Sequence, residues 1–328
     1  MNNKIICGDV LDGLSKIESN ISALILTSPP YFNQREYLTI KYLKEIGREK
    51  TIDAYLSNLY KVFEECLRVC KDDGSIVFNI GDVYINKSLQ LIPYRFALGV
   101  LNRFDVKLIN DITWVKTNPT PRQYNKRLIP STEPFFHFVK SDKYYYNRNE
   151  FLQTDKVVKY NNSPKKGQGY IPLIQSSELT ESEKLQALLA LQEAILELHE
   201  GHISDFRMKI RGVHKKAFGG QSGGRNNQID KQGYTIIKFT GNKIKRDVIE
   251  SPVANTKNID HPAVFPLKVI AEVVKLLSIE DNVILDPFCG SGQVCLAAKS
   301  LNRNSLGIDL NPEYCKMAEK RLSELIAK

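Results

Sequence analysis

Two short apolar runs, near opposite ends of the chain, each stop at a loop of unusual composition. Residues 23–26 (Ala-Leu-Ile-Leu) lead into Thr-Ser-Pro-Pro-Tyr at 27–31, and residues 283–285 (Val-Ile-Leu) lead into Asp-Pro-Phe-Cys-Gly-Ser-Gly at 286–292. Such runs, bounded by turn-forming residues, are typical of buried strands. In open α/β sheets, ligands bind outside the carboxyl ends of the strands. The chain is therefore predicted to be an α/β protein with functional loops at two strand ends.

Helical and strand patterns alternate through residues 1–150 and resume at about residue 262. This alternation predicts a doubly wound, mostly parallel sheet covered by helices on both faces. The predicted helices span residues 10–16, 51–70, 90–102, 264–277, 291–301 and 312–326, and the predicted strands span 22–27, 75–80, 106–116, 135–140, 282–285 and 305–308, with a further strand at the N-terminus.

An insert at residues 151–255 interrupts the alternation, so that 1–150 and 256–328 form the two halves of one larger domain. Within it, Thr180 opens a long helix through a capping box with Glu183, and Gly201 ends that helix. We expect one face of the helix to pack in a core, made by Leu185, Leu188, Leu189, Gln192, Ile195 and Leu196.

The composition excludes several classes of protein. Hydrophobic residues make up 42% of the 328, which suffices for a core, yet no run approaches the 18 apolar residues of a membrane span. The N-terminus lacks the apolar region of a signal peptide. Six cysteines are scattered without a C-x-x-C pair, which indicates reduced, mostly buried thiols in a cytosolic protein and no metal site.

Positive charge is concentrated in one segment. Residues 203–248 hold eleven Lys and Arg against three acids, a net of +8 in a chain whose total is +9. A nearly neutral body with one basic module is typical of a protein that binds a polyanion. A solvated basic loop is the alternative reading of the same segment.

The loop at 286–292 suits a nucleotide-like ligand. Gly290 and Gly292 allow close backbone approach, and the helix that follows presents free N–H groups at its start. A phosphate-binding lysine is missing, which excludes a Walker loop. Asp309 ends the next strand, and an acid about 20 residues beyond a Gly-rich loop commonly binds ribose hydroxyls. We predict an adenosine-containing ligand, with a tight turn and helix cap as the alternative.

The loop at 27–31 suits an exocyclic amine, whose lone pair is delocalised into its ring. Pro29 and Pro30 have no N–H, so that a stiff backbone offers only carbonyl acceptors. Ser28 adds a hydroxyl acceptor, and Tyr31 can stack on a base drawn out of a helix. An ordinary rigid loop is the alternative reading.

In this order, the two motifs resemble the S-adenosylmethionine-dependent DNA amino-methyltransferases of the β group, in which the catalytic motif precedes the cofactor motif. The resemblance covers nearly the whole chain, but at residues 151–255 it extends only to the position of an insert and not to individual residues. One departure is Gln293, where a Thr often follows Gly-Ser-Gly, and this could alter a helix cap. The other matching segments are Gly8-Asp9-Val10-Leu11, residues 74–82, residues 114–119 through Arg127 and Glu133, and residues 261–266.

The resemblance implies a Rossmann-like methyltransferase fold with an inserted target-recognition domain, S-adenosylmethionine as cofactor and no metal. It implies catalytic roles for Ser28, Pro29, Pro30 and Tyr31. The implied cofactor-binding residues are Asp9, His261, Phe265, Pro266, Asp286, Pro287, Phe288, Cys289, Gly290, Ser291, Gly292, Asp309 and Leu310. The candidate DNA-binding residues are Lys215, Lys216 and Arg225 in the basic segment, and Arg122, Lys126 and Arg127 elsewhere.

The expected reaction is sequence-specific methylation of the exocyclic N4 of a flipped cytosine in double-stranded DNA. Serine at position 28 is similar to the cytosine-N4 enzymes, whereas aspartate there usually marks adenine-N6 enzymes. Adenine-N6 methylation, methylation of RNA or a protein glutamine, and an inactive DNA-binding module are the alternatives. The expected setting is the prokaryotic cytosol or nucleoid, within a restriction-modification system, and the existence of a cognate restriction endonuclease stays open. Monomer and homodimer both stay open.

Overall fold

The computed structural model describes residues 3–33, 45–119, 126–147, 166–215, 225–239, 246–253 and 265–325. Predictions that rest on Arg122, Lys216 and His261 fall outside these residues, as does the side chain of Arg225. The chain divides into two compact units: Met1–Phe151 with Lys245–Lys328 forms the larger, and Leu152–Ile244 forms the smaller.

The elements of the described residues follow in chain order. First come β1 Lys4–Cys7, α1 Val10–Ser15, β2 Ser22–Thr27, α2 Ile52–Val69, β3 Cys70–Asn79, β4 Tyr84–Ile85, β5 Ser88–Leu89, α3 Ile92–Arg103, β6 Lys107–Lys116 and β7 Thr132–Val139. The smaller unit holds α4 Tyr170–Gln175, α5 Glu181–His199, β8 Asp205–Ile210, α6 Arg225–Gln232 and β9 Tyr234–Phe239. The last are β10 Val248–Ser251, α7 Leu267–Leu277, β11 Val283–Asp286, α8 Gln293–Ser300, β12 Asn304–Asp309 and α9 Pro312–Glu324.

An eight-stranded sheet forms the centre of the larger unit, in the order β1-β12-β11-β2-β3-β7-β6-β10. β7 is antiparallel to both of its neighbours, and the other pairs are parallel. The chain runs from β2 to β3 on one side and from β11 to β12 on the other. The strand order therefore reverses between β2 and β11, and this switch point is where α/β sheets open a crevice for ligands.

Both faces of the sheet are covered. All six residues of β2 are buried. Ile25 packs with residues of α1, α2 and α3 on one face, and Leu24 and Leu26 pack with α7 and α8 on the other. Burial on both faces explains why β2 is a continuous apolar run, as parallel strands usually are. The predicted doubly wound, mostly parallel sheet is confirmed.

Two details of the larger unit differ from the sequence-based expectation. Residues 71–74, which fall between the predicted helix at 51–70 and the predicted strand at 75–80, lie inside β3, because Ser22 pairs with Cys70 and the register then shifts before Leu24 pairs with Ser75. The insert was expected to reach residue 255, but β10 pairs with β6 in the large sheet, and the smaller unit ends at Ile244.

The smaller unit has a core of its own, in which α4 and α5 pack on the antiparallel pair β8–β9. The capping box of Thr180 and Glu183 is present at the start of α5. The predicted core face of α5 is wrong at four of its six residues: Leu185, Leu189, Gln192 and Leu196 are exposed. Leu188 and Ile195 are partly buried and pack against the core, as predicted. The residues that α5 buries are Ala187, Leu191, Ala194 and Leu198. Apolar residues occur nearly all round this helix. The small side chains of Ala187 and Ala194 allow the helix backbone to approach the rest of the core closely.

Five of the six cysteines are buried, Cys7 is exposed, and all six are free thiols, as predicted. In the part of the chain that the structure describes, no helix combines the length and apolar character that a membrane span requires.

Candidate active site

The two predicted loops meet at the switch point of the sheet. Thr27, the last residue of β2, donates its hydroxyl to Asp286 Oδ1 at 2.6 Å. Phe288 N–H donates to the same oxygen at 3.0 Å. This contact joins the ends of two neighbouring parallel strands, so that the loop after β2 and the loop after β11 open at one edge of the sheet.

The Asp286 carboxyl is buried at this junction. Burial raises its pKa to about 7, an effect opposed by the hydrogen bonds from Thr27 and Phe288 and increased by the nearby Asp309 carboxylate. A charged carboxylate that is costly to bury becomes more favourable when a cation or further N–H donors lie beside it. The charge of Asp286 near neutral pH is therefore sensitive to what binds in the crevice.

The loop at 286–292 adopts a conformation that requires glycine. Gly290 and Gly292 have φ angles of +49° and +81°. A Cβ on Gly292 would lie 2.8 Å from Ala318 Cβ of α9, so the close approach of α9 also excludes a side chain there. Gly292 is the N-cap of α8, whose first N–H groups lack a side-chain cap.

Asp309 ends β12 and holds the same loop from its other side. Its Oδ2 accepts from Gly290 N–H at 2.8 Å and its Oδ1 accepts from Asn311 N–H at 2.8 Å. Burial raises the pKa of this carboxyl, and the two backbone donors oppose that rise. Each carboxylate oxygen keeps lone pairs beyond those used here. Asp309 therefore positions the loop and can still accept from a ligand hydroxyl.

The segment at Gly8-Asp9 lies beside Asp309, because Gly8 N–H donates to the Asp309 carbonyl at 2.9 Å. Asp9 uses Oδ1 to cap α1, accepting from Leu11 N–H at 3.0 Å and Asp12 N–H at 3.2 Å. Asp9 thus has a structural role in the described residues, next to the predicted cofactor loop.

Sequence reasoning missed the role of Gln293, the departure from the family pattern. Its side chain is buried, and its Nε2 donates to the Phe265 carbonyl at 3.2 Å. Its Oε1 accepts from Arg321 Nη2 at 2.6 Å, and Arg321 Nη1 donates to the Ser291 carbonyl. The pair Gln293–Arg321 thus joins three parts of the chain, namely the loop at 286–292, the segment that precedes α7, and the helix α9. Phe265 in turn stacks on Phe135 with ring centroids 5.4 Å apart.

The loop after β2 is anchored by a hydrogen-bond network. The Ser28 hydroxyl has one proton, and it can donate this proton to either of two inner acceptors, Asn79 Oδ1 and the Tyr31 hydroxyl oxygen, each 3.2 Å away. The Tyr31 hydroxyl lies 2.8 Å from Asn79 Oδ1 and 3.1 Å from Glu133 Oε2. Asn79 Nδ2 donates to the Pro134 carbonyl at 3.0 Å, which fixes the orientation of that amide. Because the Ser28 proton is directed inwards, its oxygen lone pairs are available to an outside donor.

Glu133 continues the network to a cation. Its Oε1 pairs with Lys116 Nζ, and both side chains are mostly buried. Lys116 Nζ also lies 5.0 Å from the centroid of the Trp114 ring. Glu133 and Trp114 were noted as family-like residues, but their proximity to Tyr31 depends on β7 lying between β3 and β6, which the sequence does not specify.

Two parts of the loop are less available than expected. The Pro30 carbonyl accepts from the Tyr55 hydroxyl at 2.8 Å. The Tyr31 ring packs directly on Gly81, where a Cβ would lie 2.3 Å from Tyr31 Cε2. The Cδ2–Cε2 side of the Tyr31 ring is therefore occupied by backbone.

Of the candidate DNA-binding residues, Lys126 and Lys215 are exposed. The Arg127 guanidinium lies 3.8 Å from the centroid of the Tyr84 ring. The structure therefore places Arg127 beside the hairpin β4–β5, a short element that sequence reasoning did not predict.

Comparison with known proteins gives a consistent picture. A family model described as DNA methylase matches residues 22–320. The chain is 38% identical over 152 residues to the type II methyltransferase M.MwoI of Methanothermobacter wolfeii, a match covering 45% of this chain and 22% of that protein. A match of 35% identity to M.SfiI of Streptomyces fimbriatus covers 37% of that protein, so the chain spans well under half of both relatives.

A longer match, at 25% identity over 344 residues, is to M.XycI of Xanthomonas campestris pv. cyanopsidis and covers 96% of this chain and 86% of the relative. Among solved structures, the PvuII DNA methyltransferase (cytosine-N4-specific) has a TM-score of 0.62 at 16% identity, covering 98% of this chain and 86% of the other. The structure of a putative DNA modification methylase from Thermus thermophilus in complex with S-adenosyl-L-methionine has a TM-score of 0.53 at 18% identity, covering 98% and 94%. These likenesses confirm the predicted fold.

Proposed function

The chain belongs to the DNA methylase family whose model spans residues 22–320, and from this premise we propose that it methylates the exocyclic N4 of cytosine in double-stranded DNA. We take S-adenosylmethionine as the methyl donor and a restriction-modification system as the setting. The observation that carries the proposal is the inward donation of the Ser28 hydroxyl to Asn79, which leaves the Ser28 oxygen as an acceptor. The position of Ser28 at the switch point of the sheet also supports the proposal.

The residues at the end of β11 fit the proposed cofactor. Gly290 and Gly292 give the loop its left-handed backbone conformation, and Asp309 retains lone pairs for ribose hydroxyls. When bound, S-adenosylmethionine supplies an electrophilic methyl group on a sulfonium. The buried Asp286 carboxyl lies at the junction of the two loops, where a cationic ligand would favour its charged form.

In this proposal the loop after β2 orients the amine. Ser28 Oγ accepts one N–H of the amino group, which directs the nitrogen lone pair away from the loop. Asn79 cannot turn its amide without losing its bond to the Pro134 carbonyl, so Ser28 is held as an acceptor. The Tyr31 hydroxyl, bound between Asn79 and Glu133, fixes the ring that forms the wall of the site. Positioning of this kind can supply much of the rate enhancement of such a transfer.

The identity of the methylated base is the more specific part of the proposal. The PvuII enzyme, which is cytosine-N4-specific, has this fold, and serine precedes Pro-Pro-Tyr in the present chain. Methylation of adenine N6 by the same fold is the second candidate.

The test is transfer of labelled methyl groups from S-adenosylmethionine to unmodified genomic DNA, followed by digestion to nucleosides. N4-methylcytosine is expected. N6-methyladenine would contradict the choice of base but retain the reaction class. Cofactor binding without transfer to any DNA would contradict the enzyme activity and favour an inactive DNA-binding module. Sequencing of the modified DNA would add the target sequence, and resistance of that DNA to a companion nuclease would test the restriction-modification setting.

A further inference from the structure

An exposed hairpin follows directly after the residue that supports Tyr31. β4 and β5 pair through Tyr84 with Leu89 and Ile85 with Ser88, and a two-residue turn joins them. Asn86 and Lys87 in that turn have φ angles of +50° and +67°. Two consecutive left-handed residues define the tight turn whose twist matches a hairpin. We name residues 83–91 the rim hairpin.

The base of the rim hairpin is fixed by a single carboxylate. Asp82 Oδ1 accepts from Val83 N–H at 2.8 Å and from Ile92 N–H at 3.2 Å, at the two ends of the segment. Gln90 N–H also donates to the Val83 carbonyl at 3.1 Å. The hairpin is therefore a preformed projection and not a loop that must order itself before it can bind.

Its base also lies against the candidate active site. Gly81, the residue before Asp82, is in direct contact with the Tyr31 ring, since no Cβ would fit between them. The distance along the chain from Gly81 to the first strand of the hairpin is only three residues. A surface that met the rim hairpin would therefore lie beside the Ser28–Tyr31 loop.

The rim hairpin is apolar and cationic. Tyr84, Ile85, Leu89 and Leu91 are exposed, Leu91 to 50%, and Lys87 is exposed at the tip. Arg127 stacks on Tyr84, which brings the segment 126–132 alongside. The two segments together contain Lys87, Lys126 and Arg127 and no acidic residue. A second copy of this chain would present the same positive charges, whereas a polyanion is complementary to them.

We propose that the rim hairpin is a DNA-contacting element that binds the duplex next to the target base. Lys87 binds a backbone phosphate, and the apolar side chains around Ile85 pack against the base step that is exposed when the target base leaves the stack. Apolar side chains at an unstacked step are a known way for proteins to hold distorted DNA. This inference rests on the proposed function, because it identifies where the DNA substrate of the same site is held.

The first test separates the charge from the apolar surface. Lys87→Gln removes one phosphate contact and should lower the slope of log affinity against log salt for duplex DNA by about 0.9. Lys316→Gln is the matched control, because Lys316 is exposed on α9, which packs on β1 and β12 at the far end of the sheet. Its slope should equal that of the wild type. An unchanged slope in Lys87→Gln would overturn the proposal.

The second test addresses the apolar part. Ile85→Ser should lower methyl transfer to unmodified genomic DNA by about tenfold or more, while the salt slope and the Kd for S-adenosylmethionine stay at wild-type values. Leu98→Ser, at an exposed leucine of α3 outside the hairpin, is the control and should transfer normally. Wild-type transfer by Ile85→Ser would overturn the proposal, as would sedimentation data in which this change converts a wild-type dimer into monomers. Failure of the wild type itself to methylate DNA would instead contradict the proposed function.

Discussion

At the scale of single residues, the hydroxyl of Ser28 is the group whose chemistry matters most in the proposed reaction. Ser28→Ala removes the acceptor for the target amine, and Tyr31→Ala removes the wall that Asn79 and Glu133 hold. We expect each change to lower methyl transfer by about two orders of magnitude, the scale of one transition-state hydrogen bond. The measurement is labelled methyl transfer under single-turnover conditions, with the Kd for S-adenosylmethionine unchanged. Ser15→Ala, at an exposed serine of α1, is the control; near-wild-type turnover in both variants would remove this loop from the mechanism.

A second residue-scale prediction concerns Gln293. Gln293→Glu keeps an oxygen for Arg321 but loses the N–H that donates to the Phe265 carbonyl, and it sets a negative charge against that carbonyl. Loss of this hydrogen bond costs about 0.5–1.5 kcal/mol of stability and leaves the loop at 286–292 less firmly held. We therefore expect binding of S-adenosylmethionine to weaken, by about tenfold at most, in calorimetric titration. Lys299→Met is the control, since Lys299 joins α8 to α9 through the Leu322 carbonyl, away from the loop. If Gln293→Glu and Lys299→Met bind S-adenosylmethionine with equal affinity, Gln293 has a packing role and does not support the cofactor loop.

At the scale of elements, the sequence predicts those strands and helices that have a clear period or end at a glycine. The ends of β2 and β11 are recognisable because apolar runs stop at Pro-rich and Gly-rich loops. The rim hairpin is not, because strands of two residues carry no periodic signal. The network of Glu133 and Lys116 with Tyr31 is equally invisible, since it depends on the antiparallel insertion of β7 between β3 and β6.

The helix α5 is also predicted incompletely from the sequence, but for a different reason. It has so many apolar residues that the pattern does not indicate which face is buried. Leu191 is buried in the core of the smaller unit, whereas Leu189 is exposed. Leu191→Ala should therefore lower the free energy of unfolding by about 2–5 kcal/mol. Leu189→Ala should change it by no more than about 0.5 kcal/mol. Urea unfolding of the full chain, followed by circular dichroism, measures both, and a larger effect at Leu189 would restore the face first predicted from the sequence.

In the strand β7, His137 makes stability depend on pH. Its Nε2 bonds Ser75 Oγ at 2.9 Å, its Nδ1 is buried without a hydrogen-bond partner among the described residues, and burial lowers its pKa to about 4. An unfolded chain protonates this imidazole near a pH of about 6.5. Between that pH and about 4, the unfolded chain thus binds a proton that the folded chain does not.

Because of this difference, the free energy of unfolding should fall as the pH drops through that window, by up to about 3 kcal/mol from this residue. His137→Gln can still bond Ser75 but does not titrate, so the variant should lose this part of the pH dependence in denaturant unfolding. His199→Gln, at an exposed histidine of α5, should behave as the wild type. A wild-type pH profile in His137→Gln would mean that the buried imidazole accepts a proton in the folded chain.

At the scale of the whole molecule, the charge of the basic segment is less than its sequence suggests. Arg211 binds Glu183 at 2.7 Å, and Lys238 binds Glu197 at 2.7 Å, so acids of α5 neutralise two of the eleven cations in 203–248. The cations that remain exposed include Arg207 and Lys215. Sequence alone could count the charges but could not assign the pairs, because those acids lie outside the segment.

The distinction between paired and exposed cations gives a prediction for DNA binding. If the smaller unit supplies phosphate contacts, Arg207→Gln together with Lys215→Gln should flatten the slope of log affinity against log salt by about two units, near 0.9 for each contact. Lys238→Gln is the matched control and should leave the slope unchanged, because Lys238 already pairs with Glu197. The measurement is duplex binding across a salt series, with the Kd for S-adenosylmethionine constant. An unchanged slope in the double variant would mean that these two cations are solvated without contacting DNA, and would leave the surface around Lys126 and Arg127 as the place where the DNA backbone is held.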